Sequence, residues 1–507
     1  MGTSNNDYST KGMWEPIKYK FKYLPVHVSL LHTGKVLAFG GSGNNENNFK
    51  TPNPAEIFDP QTGEIKTINQ KLDGDIFCAG HAFLPDGRLL VAGGTYRYDN
   101  SIFGIPMPPF SGLDQSYLFD PVKESWTRVE DMSNGRWYPS LISMGDGRVL
   151  AVAGLTKTVP WMFLSEIEVY SPSTGWQKLS GANRWLPLYP RLHLLPSGEI
   201  FYSGSYNTHY TFPFTIKGFP TSKLDVTNRK WNDIGHTNQS EREEGASLLL
   251  PLIPPDYHAK VLLIGGGTAQ GEKATNEVEM IDLSDNKPLW KKVKPMKHAR
   301  YYTYTVMLPD QKILVLGGRK GKDGHHMEIN HDMHCGNGEI PHDPDSIMEC
   351  EIYDYKTDKW TVVSDMNVDR VYHSSVLLLP DGRVMVSGSN PMRRCNELRI
   401  EIYQPHYLFK GPRPEIQNIP DRISYGKKFE IKTDDAEEID IVALIRPSST
   451  THCIDINQRY VELIFDSTAG NITAEVTSNH NLAPPGYYML FIIKKGIPSK
   501  SKFICLS

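Results

Sequence analysis

The apolar positions of the chain fall into runs of four or five residues, joined in pairs by a tight polar turn and closed by small residues. The pattern recurs as "LLHTGKVLAFGG", "FLPDGRLLVAGG", "SMGDGRVLAVAG", "LLPSGEIFYSGS", "DYHAKVLLIGGG", "MLPDQKILVLGG" and "LLLPDGRVMVSGS". Aligned on the first residue of the closing small pair, the copies sit at Gly40, Gly93, Ala153, Gly204, Gly265, Gly317 and Gly388, 51 to 71 residues apart. Apolar runs this short, bounded by turn residues, read as strands, and a repeat of this period signals a propeller. Six copies are followed by a second alternating pair, from "AEIFDPQTGEIKTI" to "EIYDYKTDKWTVV", so each unit supplies four strands. The seventh is incomplete: "IEIYQPHYLFKGPRPE" runs into prolines where the outer strand should come, the strand on which five other units place Trp126, Trp176, Trp231, Trp290 and Trp360. The early segment "MWEPIKYKF", with Trp14, is expected to supply the missing strand and close the ring, which leaves no open edge.

Beyond about residue 410 the pattern changes to alternating segments with Pro and Gly punctuation, among them "YVELIFDSTAG" and "PPGYYMLFIIKKG". That spacing suits a sandwich. The expected fold is all-β: a seven-bladed, kelch-like β-propeller over 1–410 and a C-terminal immunoglobulin-like β-sandwich over 411–507.

Charge narrows the partners. The 54 Lys and Arg and 58 Asp and Glu are dispersed along the chain, for a formal net charge of -4, so neither nucleic acid nor a membrane surface is expected. No apolar run reaches the roughly 18 residues of a membrane span. The opening "MGTSNNDYSTKG" lacks the apolar centre of a secretory signal. The expectation is a soluble monomer, cytoplasmic or secreted with its leader absent. The 6 cysteines are too scattered for a disulfide framework.

The repeats carry chemistry at one register. Counting back from the turn residue gives Cys78, Tyr138, Tyr189 and Tyr302 at eight residues and Tyr372 at nine. In a propeller these positions open the innermost strands and share one level about the axis. Aromatics that fill the channel would satisfy the same pattern, and Cys78 alone reads equally well as a small buried thiol. Arg136, Arg300 and Arg370 precede the register tyrosines by two residues and read as structural hydrogen-bond donors between blades. Tyr189, Tyr302, His81 and His193 are placed near the inner strands as pocket-lining candidates.

Five stretches, "DIFCAGHAFLPDGRLLVAGG", "NGRWYPSLISMGDGRVLAVAG", "DRVYHSSVLLLPDGRV", "SSTTHCIDINQR" and "PPGYYMLFII", resemble in order the segments of the galactose oxidase and glyoxal oxidase family of copper radical oxidases. The resemblance implies copper as cofactor, with Tyr138, Tyr372, His373 and His452 as metal ligands. It implies a Cys78–Tyr138 thioether carrying a tyrosyl radical, and catalytic roles for Tyr138, Cys78 and Tyr372. It further implies oxidation of a small aldehyde or primary alcohol by O2 with release of hydrogen peroxide. The chemistry is coherent: imidazole and phenolate donors suit tetragonal Cu(II), and a two-electron oxidation needs a second one-electron store beside copper. The rival reading is a non-catalytic kelch-type propeller that binds a glycan or protein. A hydrolase finds no motif in support.

Two features stand apart from the family. Galactose oxidase has a tryptophan stacked over its thioether eighteen residues after the cross-linked tyrosine, where this chain has Thr156; the nearby Trp161 reads either as a ring that swings over the site or as a blade-loop packing residue and, with Tyr189 and Tyr302, is a substrate-binding candidate. No N-terminal carbohydrate-binding domain is evident, which favours the glyoxal oxidase-like branch. The stretch 321–349, holding His325, His326, His331, His334, Cys335 and His342, is read as a lid over the channel or a second metal site, with Cys335 and Cys350 as a candidate bridge.

Overall fold

A computed structural model describes residues 7–98, 101–102, 105–106, 110–158, 162–207, 220–239, 242–267, 273–321, 342–390 and 395–507. Seven antiparallel sheets follow one another along the chain. Their innermost strands are His27–Leu30, Gly80–Phe83, Ser140–Ser143, Leu188–Leu194, Ala246–Leu249, Tyr304–Met307 and Ser375–Leu378. Each begins a blade that runs outward through the paired apolar run and then the alternating pair. The seventh blade takes its outer edge from Met13–Trp14 and Tyr19–Lys20, both paired with Arg399–Gln404. The Trp14 indole donates to Ser364 O of the sixth blade at 2.9 Å. Trp231 and Trp360 reach back one blade in the same way, to Ala182 O and Lys294 O, each at 2.8 Å.

The closing small pairs have a physical cause. The second glycine of a pair donates its N–H to the arginine carbonyl of the next blade: Gly94 to Arg136 O at 2.9 Å, Gly266 to Arg300 O at 2.8 Å, Gly318 to Arg370 O at 2.7 Å. The first glycine of the pair lies against the same carbonyl; a Cβ on Gly93 would stand 2.4 Å from Arg136 O. Those arginines are fully buried, and each pairs with a buried glutamate two strands out: Arg136 with Glu168 at 2.9 Å, Arg300 with Glu351 at 3.0 Å, Arg370 with Glu401 at 2.9 Å. Arg242 and Glu279 repeat the device at 2.7 Å in the fifth blade.

The C-terminal domain is a curled sheet in which Tyr460–Thr468 pairs first with Ile441–Ile445 and then with Asn471–Glu475, passing from one layer of the sandwich to the other. Its core is continuous with the fourth and fifth blades: Phe201, Leu252 and Leu263 join Val442, Val461 and Leu490 in one apolar cluster. From this domain a hairpin, Ser449–Thr451 and Ile454–Asp455, enters the propeller and pairs with the first blade's inner strand, Val28 opposite Thr450. That pairing carries His452 to the axis.

The expected Cys335–Cys350 bridge is not formed. Cys350 is a free, buried thiol on the inner face of the sixth blade, and Cys395 is the cysteine engaged in a disulfide. Cys335 lies outside the described residues, with the rest of 322–341. At the edge of that stretch His342 bonds Asp369 at 3.0 Å.

Candidate metal centre

The register seen in the sequence corresponds to one backbone event. Cys78, Tyr138, Tyr189, Glu244, Tyr302 and His373 open the second to seventh blades with φ between 46° and 61°. Non-glycine residues rarely adopt this left-handed conformation, and each costs roughly 1–3 kcal/mol unless its surroundings impose it. Here neighbouring blades impose it: Tyr138 N donates to Cys78 O at 3.1 Å and Tyr189 N to Tyr138 O at 2.9 Å. Cys78 and Tyr138 are thereby held side by side. The seventh member of the ring series is His373 and not Tyr372, which precedes the kink.

The kink also explains the adjacent pair Tyr372 and His373. In a regular strand successive side chains point to opposite faces; a left-handed residue breaks that alternation, so the two rings lie together at 3.7 Å and 26°. His452, also left-handed at φ 46°, comes in from the C-terminal hairpin. The sequence-expected residues converge. Tyr138 and Tyr372 oxygens are 2.6 Å apart, Tyr138 oxygen and His452 Nε2 3.1 Å, His373 Nε2 and His452 Nε2 3.1 Å, and Cys78 Sγ lies 3.7 Å from His452 Nε2.

Proton bookkeeping shows what this cluster accepts. With the Thr451 hydroxyl donating to Val26 O at 3.1 Å, it accepts from His452 Nδ1 at 2.6 Å, the arrangement in which Nδ1 carries the proton. The Asn390 amide is oriented by its Nδ2, which donates to Cys395 O and Asn396 Oδ1. Its Oδ1 accepts from Asn44 Nδ2 at 2.9 Å and lies 3.4 Å from His373 Nδ1, which is therefore also the protonated nitrogen. Both Nε2 atoms then turn a lone pair toward the same point, where the Tyr138 hydroxyl also stands, 3.1 Å from His452 Nε2. Burial holds His373 neutral by lowering its pKa to about 3, and His452 is lowered well below its usual value by burial and by the nearby His373. Facing lone pairs repel, and a cation between them removes the conflict. Two donors about 2.0–2.1 Å from one ion at right angles lie roughly 2.9 Å apart; the three donor–donor spacings of 2.6, 3.1 and 3.1 Å straddle that value.

Tyr372 is half-buried, whereas Tyr138, His373 and His452 are buried. Tyr302 is buried with its ring 5.4 Å from that of Tyr372. Tyr189 does not line open space: its hydroxyl donates to Ala79 O at 2.8 Å and its ring packs on Tyr138 and His452. His81 and His193 are also interior, bonded to Ser449 Oγ at 2.6 Å and Ser247 Oγ at 2.8 Å. Trp161 lies outside the described residues. The ring that covers Tyr138 is instead its chain neighbour Trp137, at 3.8 Å and 17°, which the alternation rule alone would have sent the other way. Tyr304, likewise absent from the sequence reading, donates its hydroxyl to Val371 O at 2.6 Å and accepts from Ser374 N at 3.0 Å, bracketing the Tyr372–His373 turn.

The family model described as glyoxal oxidase N-terminus matches residues 54–407, and the galactose oxidase-like, early set domain matches 413–506. The chain belongs to the glyoxal oxidase family. As a member, it is 29% identical over 450 residues to a WSC domain-containing protein of Arthroderma benhamiae, covering 85% of this chain and 46% of that one. The chain thus spans less than half of that relative. It is 26% identical over 498 residues to the aldehyde oxidase GLOX of Vitis pseudoreticulata, covering 89% of this chain and 85% of the relative. A solved fungal alcohol oxidase of the AA5 family, in complex with copper, shares the fold with a TM-score of 0.80 and 23% identity, over 98% of this chain and 99% of that one. The seven-bladed propeller with its sandwich is therefore the architecture of this family member.

Proposed function

We propose that this chain is a copper radical oxidase, which moves two electrons from a small aldehyde or primary alcohol to O2 and yields the oxidised product and hydrogen peroxide. The observation that carries the reading is the pair of deprotonated imidazole nitrogens facing each other at 3.1 Å, flanked by two phenol oxygens. Glyoxal oxidase family membership and a relative named aldehyde oxidase support it.

On this reading His373, His452, Tyr138 and Tyr372 would hold the metal. Bound there, copper supplies a Lewis acid and a one-electron couple beside O2. Tyr372, the most open of the four, takes the hydroxyl proton of the substrate on its oxygen. Tyr138, in its one-electron-oxidised form, takes a hydrogen atom from the carbon that bears the hydroxyl and returns to a phenol. Cys78 would join the Tyr138 ring through a C–S bond that replaces the thiol S–H and one ring C–H, the two protons and two electrons passing to O2 as hydrogen peroxide, and the sulfur lone pair would spread the hole. An alcohol and O2 become an aldehyde and hydrogen peroxide; an aldehyde reacts through its hydrate and leaves as the acid. A propeller that only bound a glycan or a protein would have no use for a donor set of this kind.

The test is to load the chain with Cu(II) in air, then measure copper retention, peptide masses and peroxide release with methylglyoxal, glyoxal, glycolaldehyde, galactose and primary alcohols. The expected result is a fused Cys78–Tyr138 peptide two hydrogens lighter than its parts, with turnover of part of the panel. Cys78, His373 and His452 also place three ligand atoms within 4.8 Å, and a copper site using a Cys78 thiolate would leave those peptides unlinked. Unlinked peptides with no copper held and no turnover would end the proposal.

A further inference from the structure

Tyr138 is covered by a built stack. The Trp137 indole lies on the Tyr138 ring at 3.8 Å and 17°, and Phe110 lies on the far side of the contact at 4.5 Å and 7° to Trp137. All three rings are buried. Tyr98 closes the stack edge-on, 5.2 Å and 62° from Phe110.

Two backbone features hold it. Trp137 is fixed by reciprocal bonds with Leu155, N to O at 3.0 Å and O from N at 2.9 Å, and the left-handed Tyr138 turns both rings to one side. Phe110 arrives on a strap inserted in the second blade, where Thr95–Arg97 pairs with Ser111–Gly112. The strap crosses the third blade at Gly112, whose N–H donates to Thr156 O at 3.0 Å. A Cβ there would stand 2.2 Å from Leu155 O and 2.4 Å from Arg136 N, so only glycine passes. The place where galactose oxidase carries its stacking tryptophan, Thr156, is thus buried beneath the strap.

We infer that Trp137, backed by Phe110, is the positioning and shielding element for the oxidised form of Tyr138, in place of a ring from position 156. The inference rests on the copper radical reading. A parallel ring at van der Waals distance places polarisable π-electron density against the hole on Tyr138 and excludes water from that face. Delocalised charge is easier to form and slower to discharge. The stack therefore lowers the potential of the Tyr138 couple and lengthens the life of the oxidised state.

The experiment uses the full chain loaded with Cu(II) and oxidised with ferricyanide, comparing the parent with W137F, W137L and F110L. Peptide mass reports the cross-link, the near-infrared and electron spin resonance signals report the radical, and redox titration gives its midpoint. The expectation is a higher midpoint and a radical decay at least tenfold faster in W137L, a smaller change in W137F, and a shift of the same sign in F110L, which keeps the indole. A structural role alone would alter stability and leave midpoint and decay where they were. Cross-linked variants with unchanged midpoint and decay overturn the inference while leaving the oxidase intact. A parent chain with Cys78 unlinked overturns the inference, and one that also holds no copper and shows no turnover overturns the oxidase reading with it. If W137L does not fold, F110L and W137F decide between these outcomes.

Discussion

His373 Nε2 and His452 Nε2 stand 3.1 Å apart, and the opposite ring nitrogen of each faces an oxygen that accepts its proton, Asn390 Oδ1 for His373 and the Thr451 hydroxyl for His452. The two histidines come from different domains, so the repulsion between them is a property of the assembled fold. Removing either acceptor frees a ring to flip or change tautomer.

Thr451→Val tests this directly. It keeps the shape of the side chain and deletes the acceptor for His452 Nδ1. Loss of such outer contacts to metal-binding histidines costs roughly 10–100-fold in affinity. Competition titration with a Cu(II) chelator is expected to show a loss in that range, with the secondary structure unchanged by circular dichroism.

Tyr304→Phe removes a hydroxyl that donates to Val371 O and accepts from Ser374 N. Val371 O keeps the Ser374 hydroxyl at 2.8 Å and Ser374 N keeps Val371 O at 3.2 Å, so the cost is that of the lost hydrogen bonds, about 0.5–1.5 kcal/mol each. Urea unfolding is expected to register that loss, and copper stoichiometry to fall because the turn carrying Tyr372 and His373 loosens.

Acid sensitivity is predicted to come in part from His193. Burial, with Arg459 and Arg191 nearby, lowers its pKa to about 3 from a usual 6.5. Between those values the unfolded chain binds a proton that the folded chain refuses, so the contribution is complete above pH 6.5 and is lost as pH falls toward 3. The slope is at most about 1.4 kcal/mol per pH unit. In His193→Gln the unfolding free energy, measured by urea from pH 7 to pH 4, should fall less steeply than in the parent; an unchanged slope would contradict the assignment.

The first strand is predicted to act as the fastener of the ring. A chain starting after Lys20 would leave the seventh blade's Arg399–Gln404 edge unpaired. Exposed edges invite pairing with other chains. Size-exclusion chromatography of the shortened chain is expected to show aggregation, and Trp14→Ala a milder loss of about 2 kcal/mol, since the indole is half-buried.

The propeller was legible because its period is written in the apolar runs and closing glycines, and Tyr138, His373 and His452 because a known family spaces them alike. What stayed hidden depended on backbone conformation and on contacts through space. Alternation places Trp137 opposite Tyr138, and only the left-handed turn brings the rings together. The same turn shows that His373, eight residues before Asp381, holds the seventh register position, and that Tyr372, at nine, precedes the kink. Thr451, Asn390 and Tyr304 act through single atoms from other segments, which no spacing reveals. Cys350 drew attention as the cysteine nearest the histidine-rich stretch, yet it faces the blade interior, and Cys395 is the one oxidised.

The threading of Ser449–Asp455 into the propeller has a consequence for synthesis. A nascent chain whose seven blades have emerged already holds Cys78, Tyr138, Tyr372 and His373, but His452 arrives only with the final domain. On the copper reading, the donor set is complete only once the final domain has been made and its hairpin has threaded the ring.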